Sequence, residues 1–151
     1  MIQRIQTVWL LVAALLMLAM FYVDVYKLPT LDVTSMPAEV VKDYNDVKSI
    51  SNNFLAIALV AGSMLLSLVT IFLFKTRKRQ IGLIWINILL LIALLFWLYV
   101  GLSSFWSHYP DSGGTLWIGM FLPVIAFFAL LLALRGIRKD EKLIKSLDRL
   151  R

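Results

Sequence analysis

The chain contains one histidine, His108, which stands beside Tyr109 and three residues before Asp111. An imidazole and a carboxylate so placed could act as an acid–base pair or begin a metal site. A lone histidine completes no zinc site unless further carboxylates join it, so His108 reads first as an ordinary histidine of an interfacial loop. An enzyme acting there is the weakest of three functional readings. A second group of carboxylates, Asp24, Asp32, Glu39, Asp43 and Asp46, has no nucleophile with a local base beside it. These acids are expected on solvated faces. The 151 residues include no cysteine, which excludes disulfides, thiolate ligands and thiol redox chemistry. No catalytic, cofactor or metal residue is assigned.

Polar side chains inside apolar sequence are the other place for chemistry. Asn87 is the one strongly hydrogen-bonding side chain deep in an apolar stretch, and Ser63, Ser67 and Thr70 recur at i, i+4 and i+7 beside Gly62. A proton- or ion-coupled carrier ordinarily holds an ionisable group at membrane depth, where its cost marks it as functional. The four apolar stretches contain no Asp, Glu, Lys or Arg. Coupled transport is therefore disfavoured, and Gly62, Ser63, Ser67, Thr70 and Asn87 are expected to pack helices against one another.

The elements that must position these groups are the stretches themselves, about 5–23, 54–74, 81–102 and 116–134. Each approaches the roughly 20 residues that cross about 30 Å of hydrocarbon. Hydrophobic residues make up 61% of the chain, above the roughly 45–50% of soluble domains. Backbone polar groups in hydrocarbon must be satisfied within each segment, so the spans are expected to be helices. The expectation is one all-α membrane domain, a four-helix up-down bundle. Its outer loops are 24–53 and 103–115, its cytoplasmic link is 75–80 and its cytoplasmic tail is 135–151. The first span, lacking an A-x-A site after it, is expected to be uncleaved.

Basic charge is sorted between the connections. Arg4, the cluster Lys75, Arg77, Lys78 and Arg79, and seven residues of the tail lie on one side, against Lys27, Lys42 and Lys48 on the other. By the positive-inside rule both termini face the cytoplasm. The net charge of +6 is then explained by topology and anionic headgroups, with no need of nucleic acid. The 75–79 cluster is a topology determinant that could also meet a lipid headgroup.

In the first outer loop Val40, Val41, Tyr44, Val47 and Ile50 recur at helical spacing after Pro37. They predict a short amphipathic helix that either lies on the membrane face or continues into the second span. The second outer loop sets Phe105, Trp106, Tyr109 and Trp117 around a Pro-Asp-Ser-Gly-Gly turn, an interfacial aromatic belt. Gly119 and Pro123 lie in the outer half of the last span, where Pro123 is expected to kink the helix. The tail carries Ile137, Leu143, Ile144, Leu147 and Leu150 on one helical side. That stripe exceeds what orientation requires and is expected to dock on a leaflet or on a partner.

Three segments carry a resemblance: the opening MIQRIQTVWLL, the link FKTRKRQI and the ending ALRGIRKDEKLIKSLDRLR. Together they resemble an uncharacterised family of small four-span membrane proteins of Bacteroidetes. The resemblance implies four spans in a bacterial inner membrane and transfers no active-site residue. The functional expectation is a non-enzymatic membrane protein, an accessory or assembly subunit of a larger complex or a self-associating bundle. Its partners would be the bilayer and another membrane protein or a second copy. The alternative is a small uncoupled channel or lipid-handling transporter formed by an oligomer.

Overall fold

The computed structural model of the protein describes residues 2–28, 37–74, 76–110 and 114–148. Lys75, Asp111 and Leu150 lie outside the described residues, as does Pro29. Five α-helices occur among those described: α1 (Ile2–Ala19), α2 (Ala38–Lys48), α3 (Phe54–Phe72), α4 (Arg77–His108) and α5 (Ile118–Asp148). Two short strands, β1 (Tyr26–Lys27) and β2 (Thr115–Leu116), pair antiparallel with Tyr26 opposite Leu116 and Lys27 opposite Thr115.

The helices form a ring in which α1 packs on α5 and α3, α3 on α4, and α4 on α5. The strand pair joins the segment after α1 to the segment before α5 at one end. At the other end the start of α1 meets the late part of α5 through Gln6 and Asp140, and Gln80 of α4 reaches Thr70 of α3. The core between the helices holds Leu10, Met17, Val60, Ile84, Leu91, Leu94, Leu130 and Ile137, all buried. The outward faces are also apolar: Phe54, Phe72 and Phe96 are 85%, 76% and 68% exposed. In water such a belt would drive aggregation, and against lipid it costs nothing.

Helices α3, α4 and α5 are long and apolar enough to cross a membrane, whereas the apolar part of α1 is the shorter Ile5–Ala19. The stretch read as a span to residue 23 stops being helical at Ala19. There the Phe21 and Tyr22 N–H groups bond back three residues, to Leu18 and Ala19. The chain must turn at that point, because the Val25 N–H donates to Lys48 O at 2.8 Å and Val25 O accepts from the Trp117 N–H at 2.9 Å. Likewise Leu116 belongs to β2, not to the last helix.

Helix α4, at about 48 Å, and α5, at about 46 Å, both exceed the hydrocarbon thickness. Helix α4 absorbs part of the 75–80 link at its start and runs past Leu102 to His108. Helix α5 continues past Pro123 and includes most of the tail without a break. Arg77, Lys78 and Arg79 occupy the first turn of α4, where the helix dipole disfavours cations by a few tenths of a kcal/mol each. Helix propensity does not explain that placement.

Helix α2 is separate from α3. It has Glu39 in its first turn and Lys48 in its last, both matched to the dipole. The Asn52 side-chain amide caps its end by donating to Asn45 O at 2.8 Å, and a 3-10 turn over Ile50–Asn52 then redirects the chain.

Candidate functional site

Among the described residues, polar groups gather at three places. The first lies between α3 and α4 at membrane depth. Ser63 Oγ donates to Asn87 Oδ1 at 2.6 Å, Asn87 Nδ2 donates to Ser67 Oγ at 2.7 Å, and Ser67 Oγ donates to Ser63 O at 3.0 Å. The i, i+4 spacing puts both serines over one turn of α3, facing one residue of α4. All three side chains are buried, and each named group has a partner. Thr70 lies on the same face but bonds its own helix, donating to Leu66 O at 2.6 Å. Gly62 is off the cluster: a Cβ there would make ordinary contact, 3.7 Å, with Leu90.

The second is at the basic end. Gln6 Nε2 donates to Asp140 Oδ2 at 2.5 Å, and both residues are buried. Gly136 sits one turn before Asp140, and a Cβ there would lie 2.8 Å from Gln6 Cγ, so its bare backbone admits the glutamine. Arg138 stacks over the Trp85 ring at 5.6 Å. Ile137 is buried in the core of the chain itself, while Leu143 is exposed. The proposed docking stripe is thus divided, with Ile137 consumed internally. Ile144 and Leu147 belong to α5 by backbone only.

Asp140→Leu is expected to cost about 1–3 kcal/mol, because it strands the buried Gln6 amide; Asp140→Asn keeps an acceptor and costs less. Thermal unfolding in mild detergent orders the two variants, and equal losses would show that the hydrogen bond contributes nothing.

The third is a cavity of about 300 Å³ beneath α2 at the end opposite the basic cluster. Trp97, Gly101, Ser104 and His108 line it from α4 at i, i+4, i+7 and i+11, one face of the helix. Asp43, Asp46 and Val47 close it from α2, and Ile50, Asn53 and Ala56 form the wall toward α3. His108 Nδ1 lies 2.8 Å from Ser104 O, which places the proton on Nδ1. The Tyr109 hydroxyl donates to Asp43 Oδ2 at 3.1 Å. Desolvation first, then that hydrogen bond and the charges of Asp43 and Glu39, raise the Tyr109 phenol above its ordinary pKa. Among the described residues no three His, Cys, Asp or Glu side chains are grouped to hold a metal.

An aromatic cap adjoins the cavity. The Tyr26 ring is buried with edge contacts to Tyr44, Phe105 and Trp106, and Trp106 Nε1 donates to its hydroxyl at 3.1 Å. Gly114 presses its backbone against that ring, and Lys27 Nζ lies 4.1 Å over Trp117. Sequence reading found the aromatic belt but not its centre, Tyr26. It also missed Gln6, an amide two residues after Arg4, and Asp140, an acid within the basic run of the tail.

Long apolar helices and a polar cluster satisfied entirely between them define an all-α protein of the membrane class. Within that class, the chain belongs to the family described as Domain of unknown function (DUF4293), whose profile matches residues 2–150. No curated protein and no solved structure matches it.

Proposed function

We propose that the protein is a four-span, up-down inner-membrane bundle with both termini in the cytoplasm, acting without catalysis as an assembly or accessory component. The observation that carries this reading is the closure of the Ser63–Ser67–Asn87 cluster within the chain. Its polar groups are satisfied by one another, so they line no conduction path, and the outward faces offered to a neighbour are apolar. The association surface then lies on the lipid-facing sides of α4 and α5, around Leu89, Phe96 and Phe128, and not on the Ser63–Ser67 face. Photo-crosslinkers at those three positions should each capture one reproducible membrane-protein adduct or a second copy. Adducts no more frequent than random lipid-phase collision would sink the assembly reading.

Orientation has its own test, made clean by the lack of native cysteine. Lys42→Cys is expected to react with an impermeant maleimide on intact cells, and Lys78→Cys and Lys142→Cys only after permeabilisation. The reverse pattern would invert the topology. A second reading, lipid handling, is favoured by the outer cavity, which has polar groups at one end and apolar ones at the other.

A further inference from the structure

We propose that the outer cavity binds a single membrane lipid with a primary-ammonium headgroup, the ammonium set against Asp43 and Asp46 and the glycerol and upper chain lying along Trp97 and Gly101. This deepens the lipid-handling reading only as far as binding; movement of lipid between leaflets is a separate property.

The occupant follows from the walls. From Trp97 to His108 the α4 face rises about 16 Å, so the cavity reaches from the apolar level of the bundle to the interfacial level of α2. Its deep end is Trp97, Leu98 and Ala56, and its shallow end carries the two carboxylates. A water-soluble metabolite would leave the deep end badly matched, and a bare alkyl chain would offer no counter-charge to Asp46 or to Asp43, which the neutral Tyr109 hydroxyl meets at 3.1 Å. A molecule polar at one end and apolar at the other matches both. No lysine or arginine lines the cavity among the described residues, so the sign of the polar end is negative and selects a cation. Ser104 and Asn53 supply hydroxyl and amide donors between the ends, where an ammonium lipid carries its phosphate. The volume of about 300 Å³ suits a headgroup and its first carbons, with the remaining chain left in the bilayer.

Gly101 sets the width of the cavity on the α4 side. It lies inside α4, where alanine would favour the helix by about 1 kcal/mol, and a Cβ there would meet nothing within 4 Å. No packing contact requires a glycine. Alanine fits that open space, whereas a side chain as large as phenylalanine would project into the cavity.

The test uses the full chain in phosphatidylcholine nanodiscs doped equally with phosphatidylethanolamine and phosphatidylglycerol, with co-released lipid read by native mass spectrometry. The wild type should retain one phosphatidylethanolamine about tenfold over phosphatidylglycerol. Gly101→Phe should abolish retention, while Gly101→Ala keeps it and reports that the helix tolerates substitution. Asp43→Asn combined with Asp46→Asn should leave the cavity open but reduce the preference to about parity. Retention without headgroup preference, or retention unchanged in Gly101→Phe, would each overturn the proposal. Scrambling of headgroup-labelled lipid in vesicles reads the handling activity separately, so binding without movement defeats that reading alone.

Discussion

Gly119→Ala is expected to destabilise the folded protein by about 3 kcal/mol, a large loss for the addition of one methyl group. The Gly119 N–H donates to Asp24 O at 3.0 Å, and an added Cβ would stand 2.5 Å from that same oxygen and 3.1 Å from Val23 O. Both obstacles are backbone, so no side chain can swing aside. Relief requires moving the segment after α1 away from the start of α5, which also strains the β1–β2 pairing and the Trp117–Val25 bond. Gly114→Ala strikes the same cap from the other side, at the Tyr26 ring, which three further rings enclose. Gly62→Ala and Gly101→Ala are the controls: neither Cβ is obstructed, and helix propensity predicts no loss or a gain of up to about 1 kcal/mol. Denaturation in mixed micelles, followed by tryptophan fluorescence, orders the four. Equal stability of Gly119→Ala and Gly62→Ala would show that the outer cap does not contribute to the fold.

The second large effect is expected from Ser63→Leu with Ser67→Leu, a loss of at least about 3 kcal/mol. Both serines are buried against α4 with their hydroxyls bonded to Asn87 or to backbone. Two isobutyl groups cannot enter without separating α3 from α4, and the Asn87 amide then loses its partners in hydrocarbon. Asn87→Leu alone should cost only about 1 kcal/mol, because single interhelical hydrogen bonds in membranes contribute little. Ser63→Ala and Ser67→Ala combined with Asn87→Leu should be close to neutral, since donor and acceptor leave together while volume is roughly kept. If the double leucine variant folds with wild-type stability, the α3–α4 packing is not the close one described. Shape at this interface is thus expected to outweigh polarity in holding α3 against α4.

The candidate sites were unequally legible. Ser63 and Ser67 could be placed on one face from the helical repeat alone, because positions four apart overlie one another whatever the surroundings. Asn87 stood out by chemistry. That the three meet was not legible, since α4 is apolar around its whole circumference and its periodicity does not say which side turns inward. Ile137 shows the opposite failure. Its place in an amphipathic stripe suggested an outer surface, but α5 continues unbroken from the last span and carries Ile137 into the core against α1 and α4. The outer cavity had no sequence signature, because its walls come from α2, the turn before α3 and the far end of α4.

What the sequence determined by itself is what local pattern and composition encode. The helical class follows from apolar segments that must satisfy their own backbone, and the sorting of charge follows from counting Lys and Arg in the connections. The start of α2 follows from Pro37, whereas its stop at Lys48 was decided by the fold. Tertiary structure alone decided the pairings between distant residues: Gln6 with Asp140, Gly119 with Asp24, Trp106 with Tyr26, and Asp43 with Tyr109. The physical reason is that helix rotation and register are set by side-chain shape at the ring of interfaces. Segments that are apolar all round carry almost no record of that choice.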